Sequence, residues 1–220
     1  MDSRPRHHRS IVGIDLAGSP NRNTGICTLK KNHITFCTIL HTDREIIHYV
    51  EKENPILVAI DAPLNLPPGR KSLEDRNGEH FRPCDRELLK RGIRFFPITL
   101  GPMRLLTKRG IRLKRALVRR GNEVIEVYPG AAQDIWHTGR KQDGLPKLRK
   151  GLEKLGVKGL NRNMDGDELD AVTAALVGEF FLRRKAEVLG DFKRGAIVIP
   201  FTKEMASSRI RRTPAKRSPR

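Results

Sequence analysis

At 220 residues the chain can bury one substantial core, and 44 Lys and Arg against 25 Asp and Glu give it a formal charge of +19. No apolar stretch reaches the roughly 20 residues of a membrane span. The Arg- and His-rich first ten residues lack the apolar run of a secretory signal, and Cys27, Cys37 and Cys84 form neither a CxxC pair nor a disulfide framework. These features predict a reduced, cytoplasmic protein without a membrane partner, in which zinc is not expected.

Residues 10–17 carry the apolar run Ile11-Val12-Gly13-Ile14 ending in Asp15, and read as a first strand buried on both faces. Residues 24–29 and 33–40 flank Lys30-Lys31-Asn32 as a hairpin. Residues 43–53 follow a helical period behind a cap at Thr42 or Asp43, and residues 56–61 form a fourth strand that ends in Asp61-Ala62-Pro63. Residues 65–122 are too long for a bare connection and too poor in aromatics for a core of their own. They are expected to form a helical insertion over the site, with a helix capped by Asp85 and a basic helix over 111–120. A short strand over 123–128 precedes helices over 131–137 and 146–155, separated by a break at 139–144. Asp167 is expected to open a last helix through about residue 184, and residues 196–200 form a final strand.

The folded domain is therefore expected over 10–205, between basic disordered tails at 1–9 and 206–220. Residues 207–220 hold six basic residues and no acid, yet most of the charge stays on the domain. Residues 104–120 alone contain eight Lys or Arg and no acid. This distribution points to a polyanionic partner, nucleic acid above all, although a single basic helix can equally be a solvated face. Arg82, Arg86, Arg112 and Arg115 are the candidate phosphate ligands, because a guanidinium fork matches phosphate oxygens.

A lone Asp at a buried strand end costs free energy unless a hydrogen bond, cation or metal meets it. Asp15 and Asp61 share that setting. On the last helix Asp167 and Asp170 lie on the face of Ala171, Ala174 and Gly178, whose small side chains permit close approach to another backbone. Asp15, Asp61, Asp167 and Asp170 together read as an all-oxygen site suited to Mg²⁺ or Mn²⁺. First-turn acids also complement a helix dipole, the competing explanation for Asp167. Glu126 is a candidate additional ligand, a residue that supports a ligand from behind, or a solvent-facing strand residue. Thr24 is a candidate turn residue, Trp136 a core residue, and His137 a weak candidate for proton transfer.

The stretches Gly13-Ile14-Asp15-Leu16-Ala17-Gly18, Ala59-Ile60-Asp61-Ala62-Pro63, Cys84-Asp85-Arg86-Glu87-Leu88-Leu89, Glu126-Val127-Tyr128-Pro129 and Asp167-Glu168-Leu169-Asp170-Ala171 resemble, in this order, the family of predicted RNase H-like nucleases. The resemblance implies an α/β fold: an RNase H-like mixed five-stranded sheet of order 3-2-1-4-5 flanked by helices, with strands one and four adjacent. It also implies a divalent-metal-dependent nuclease acting on DNA or RNA, with Asp15, Asp61 and Asp170 as catalytic residues and Asp167 matching a further acid of the set; Asp167 or, from its place on the fifth strand, Glu126 is the auxiliary candidate. RuvC-type resolvases are similar in placing acids on strand one, strand four and the last helix, although a Glu usually stands where this chain has Asp61. A resolvase-like role implies a homodimer. The alternative reading is a catalytically inactive nucleic-acid-binding protein of the same fold. A phosphotransferase of the actin and sugar-kinase type would need a second, duplicated domain, and the chain contains no internal repeat.

Overall fold

The computed structural model describes residues 10–202, so the tails expected at 1–9 and 206–220, and the end of the domain expected at 205, lie outside the described residues. Among the described residues, seven strands and six α-helices follow in the order β1 (Ile11–Asp15), β2 (Thr24–Lys30), β3 (His33–Leu40), α1 (Asp43–Glu53), β4 (Leu57–Asp61), α2 (Pro83–Lys90), α3 (Met103–Val118), β5 (Val124–Glu126), α4 (Pro129–Trp136), α5 (Leu145–Lys154), α6 (Gly166–Leu182), β6 (Ala186–Asp191) and β7 (Gly195–Pro200). A 3-10 turn at Lys141–Asp143 links α4 to α5.

The main sheet has the order β3-β2-β1-β4-β5. β2 is antiparallel to β1 and β3, whereas β4 is parallel to both β1 and β5. This is the mixed five-stranded sheet of the RNase H-like fold. Parallel neighbours need a crossover, and that requirement decides the role of α3. It begins eight residues earlier than its expected start at 111 and forms the β4-to-β5 crossover. Its Leu113 and Leu117 join Ile46 and Val50 of α1 over Val12, Ile14, Val58 and Ile60 on one sheet face. The expected insertion is thus only partly a cover over the site, because α3 is a full member of the sheet's own helical layer. Residues 65–100, with α2, make up most of the connection between β4 and α3.

The opposite face packs on α6, whose small residues let the backbones meet. A Cβ added at Gly13 would stand 2.1 Å from the Ala171 carbonyl oxygen, and one at Gly25 would stand 2.0 Å from that of Asp167. No side chain fits either gap. α6 starts one residue before Asp167, and its cap is Asp165, whose carboxylate accepts from the amides of Asp167 (2.9 Å) and Glu168 (2.8 Å). α1 is capped by Thr42 through a reciprocal bond with Glu45. Asp85 does not cap α2 from its start. It is the third residue of the helix, within the first turn, and its carboxylate accepts from the Arg82 amide at 2.8 Å.

β6 is absent from the sequence expectations. It pairs antiparallel with β7 and packs with α2 and α4 around Leu189, Ile197, Ile199, Cys84 and Leu88. Trp136 is half-buried, edge-on to Phe180 at 5.1 Å, and His137 is exposed at the end of α4 with a φ of 56°. Cys27, Cys37 and Cys84 are free thiols.

Candidate metal centre

Parallel pairing of β1 with β4 in the register Asp15↔Asp61 carries both carboxylates to the same edge of the sheet. α6 crosses beneath that edge on its glycine-lined contact and brings Asp170 and Asp167 towards it. Four acids from three elements therefore converge.

Their shared cation is a lysine ammonium. Lys141 Nζ, on the 3-10 turn, lies 3.0 Å from Asp170 Oδ2, 3.0 Å from Asp167 Oδ1 and 3.5 Å from Asp15 Oδ2. Burial would lower the lysine's pKa, but Asp15 and Asp170 overcome it and drive the value well above the ordinary range. Burial also pushes Asp15 up to about 7, against the pull of Lys141, and the charges of Asp170 and Asp167 add to the rise. Asp61 goes further in the same direction, first from burial and then from Asp15 and Asp170. Its carboxylate makes no hydrogen bond or ion pair among the described residues.

A partnerless carboxylate beside two others is the surrounding that a hard divalent cation stabilises, and the all-oxygen donor set of Asp15, Asp61, Asp167 and Asp170 suits Mg²⁺ or Mn²⁺. Among the described residues, however, no group of three or more acids, histidines or cysteines is arranged to hold a metal ion. The donors fit such an ion in kind, with Lys141 at their centre. Lys141 is 38% exposed and stands on a short turn, so its ammonium can withdraw to solvent.

Gln133 of α4, which sequence reading passed over, orients Asp170. Its amide donates to Asp170 Oδ1 at 2.6 Å and to Thr173 Oγ1 at 3.2 Å, and Thr173 in turn donates to the Leu169 carbonyl. Buried Arg109 of α3, also missed, hydrogen-bonds the Ala17 carbonyl at 2.7 Å and pairs with Asp43 at 2.7 Å, which fixes the loop following Asp15. No local motif marks either residue, since each acts across a contact with a distant part of the chain.

Two site expectations are corrected. Glu126 is buried and committed elsewhere: it accepts from Arg82 Nη1 at 2.6 Å, from Arg82 Nη2 at 2.8 Å and from the Leu64 amide at 2.8 Å. Withdrawing it to ligate a metal would strand a buried guanidinium. Arg82 is 1% exposed and divides its donors between Glu126 and Asp85, so it offers nothing to an external phosphate. The other three arginines lie at the surface. Arg86 pairs with Glu79 and Arg112 with Asp43, whereas Arg115 has no acidic partner among the described residues. With Lys71, Lys114 and Arg119, Arg115 lines a basic cavity of about 740 Å³ along α3.

A family model described as "Protein of unknown function (DUF429)" matches residues 13–193. The chain belongs to the DUF429 family. Among curated proteins, none matches it. Among solved structures, T. thermophilus RuvC in complex with a Holliday junction substrate is similar at a TM-score of 0.50 and 12% identity, over 80% of this chain and 96% of that one. A second Thermus thermophilus RuvC structure aligns at a TM-score of 0.46 and 14% identity over the same shares. The first likeness shows that this DUF429 chain has the RNase H-like fold, and every residue of the carboxylate cluster lies inside the family match.

Proposed function

We propose that this protein is a divalent-metal-dependent nuclease that hydrolyses phosphodiester bonds of nucleic acid. The single observation that carries the reading is the register pairing of Asp15 with Asp61 at one sheet edge, with Asp170 presented to the same edge by α6. A divalent cation held by these acids would supply activation of the attacking water and neutralisation of charge at the phosphate. Asp15, Asp61 and Asp170 would hold it, Asp167 would assist, and Gln133 would keep Asp170 in its ligating rotamer. The basic face of α3, with Arg115, Lys108 and Arg119, would hold the phosphate backbone in a sequence-independent way.

Cleavage of labelled single-stranded, duplex and branched DNA, RNA and RNA–DNA hybrid with Mg²⁺ or Mn²⁺ tests the reading, with Asp15→Asn purified in parallel. Metal-dependent cutting that disappears in Asp15→Asn is expected. Equal cutting by both proteins would sink the mechanism.

One observation favours a second reading. Lys141 already pairs with three of the four acids, which suits a protein of this fold that binds nucleic acid without cutting it. Binding of the same substrates, with no cleavage by wild type under any metal, would select that reading.

A further inference from the structure

The carboxylate edge opens on its β4 side into a cavity of about 200 Å³. Asp61 is among its lining residues, and Phe95, Phe96, Met103, Leu106 and Tyr128 form much of its wall. Phe96 is 77% exposed, an unusual state for an aromatic ring beside a cavity. The neighbouring structure is built to hold rings in place. Phe95 is backed edge-on by Phe81 at 6.1 Å, and the Tyr128 hydroxyl donates to the Arg94 carbonyl at 2.7 Å, pinning the loop that carries both phenylalanines.

Apart from Asp61, the polar side chains of the wall already have partners. Arg82 is saturated by Asp85 and Glu126, and Glu126 also accepts from the Leu64 amide. The cavity therefore offers flat apolar faces and no free arginine donor, with a carboxylate of the metal centre in its lining. A ligand suited to this arrangement carries a flat ring close to an anion that a cation on Asp61 would attract. A nucleotide has that chemistry, and the chain's charge of +19 favours an anionic polymer over an apolar peptide.

We propose, resting on the nuclease reading, that this cavity takes one unpaired nucleobase of the strand being cut, stacked on Phe96. The site then selects single-stranded or locally unpaired nucleic acid over continuous duplex, because extruding a paired base costs a few kcal/mol. Stacking on an aromatic face reads no sequence, so every base is accepted.

The test is binding without turnover. The full chain, in EDTA at low salt, is titrated into single-stranded oligonucleotides containing 2-aminopurine and into matched duplexes, and fluorescence and anisotropy are read together. Wild type is expected to bind single strands at least about tenfold more tightly than duplex and to change 2-aminopurine emission. Phe96→Ala, a surface change, should lose single-strand affinity by about 5- to 150-fold, the range of one base–aromatic stack. Its duplex affinity should be unchanged, and Phe96→Trp should restore the loss. Phe192→Ala removes another exposed ring and should behave as wild type. Equal affinity of wild type for both forms, or an unaltered Phe96→Ala, overturns the assignment. Base capture by a protein that cuts nothing with Mg²⁺ or Mn²⁺ overturns the nuclease reading and supports the cavity as a base site. Metal-dependent cutting that is equally fast on duplex and in Phe96→Ala overturns the cavity and leaves the nuclease intact.

Discussion

Lys141 Nζ stands 3.0 Å from Asp170 Oδ2, so the acid that α6 contributes to the centre is already held by a cation built into the chain. The same ammonium reaches Asp167 and Asp15, and a divalent ion entering between these acids has to displace it.

Lys141→Met removes the competitor. Its affinity for Mn²⁺, read by calorimetry or electron paramagnetic resonance, should rise by about tenfold, equivalent to about 1.4 kcal/mol. Without metal the variant should be less stable than wild type, because three acids then face one another uncompensated, and Mn²⁺ should restore its melting temperature. Weaker Mn²⁺ binding by the variant would show Lys141 to be a partner of the metal rather than its rival.

Acid–base linkage gives a second expectation. Asp15 moves from an ordinary 3.8 to about 7 in the folded protein, and Asp61 rises as well. Between about pH 4 and pH 7 the folded state thus holds protons that the unfolded chain has released. Metal-free stability should fall as pH rises through that window, and the fall should continue above it because Asp61 is raised further than Asp15. Metal binding expels those protons, so Mn²⁺ affinity and the thermal shift it produces should grow over the same range. Melting curves at several pH values, with and without Mn²⁺, check this. A thermal shift independent of pH would contradict it.

Gln133→Leu leaves the backbone of α4 undisturbed but removes the donor to Asp170. A loss of about 10- to 100-fold in Mn²⁺ affinity or turnover is expected, the range found for groups that orient metal ligands. Gln133→Glu, which places an acceptor against Asp170, should be worse. An unchanged Gln133→Leu would mean that α6 packing alone sets the Asp170 rotamer.

Arg82→Ala should cost about 3–5 kcal/mol, since it leaves Glu126 and Asp85 charged and buried. The double change Arg82→Met with Glu126→Gln should recover part of the loss in a urea titration. Arg115→Ala, on an exposed residue, should leave stability within about 0.5 kcal/mol of wild type. It should instead weaken nucleic-acid binding and flatten its salt dependence. Reversal of these two outcomes would overturn the assignment of a structural role to Arg82.

Much of this was legible in the sequence because buried parallel strands advertise themselves. The runs ending at Asp15 and Asp61 are unbroken apolar segments, and the small-residue face of α6 implied the close contact that Gly13 and Gly25 complete. β6 was hidden for the opposite reason. Ala186-Glu187-Val188-Leu189-Gly190-Asp191 buries only Leu189 fully and has no periodic apolar face. The early start of α3 was masked by Gly101-Pro102 before it and Gly110 within it, residues that ordinarily interrupt helices. Gly110 is required there, as a Cβ would come within 2.8 Å of the Pro63 carbonyl oxygen. Lys141 and Arg82 were opaque on local grounds. One looked like a residue in a break, the other like a surface cation; Asp85 is only three residues from Arg82, but Glu126 and the acids around Lys141 lie tens of residues away.

The position of α3 bears on how freely this architecture can be trimmed. The helix touches the turn after Asp15 through Arg109 and the packing of Leu106 on Gly18, and it touches the turn after Asp61 through Gly110. It works as a crossbeam resting on both loops that aim the aspartates. Shortening the stretch between β4 and β5, or grafting the carboxylate strands onto a leaner scaffold, would therefore leave every acid in the sequence but remove the brace that holds two of them in register.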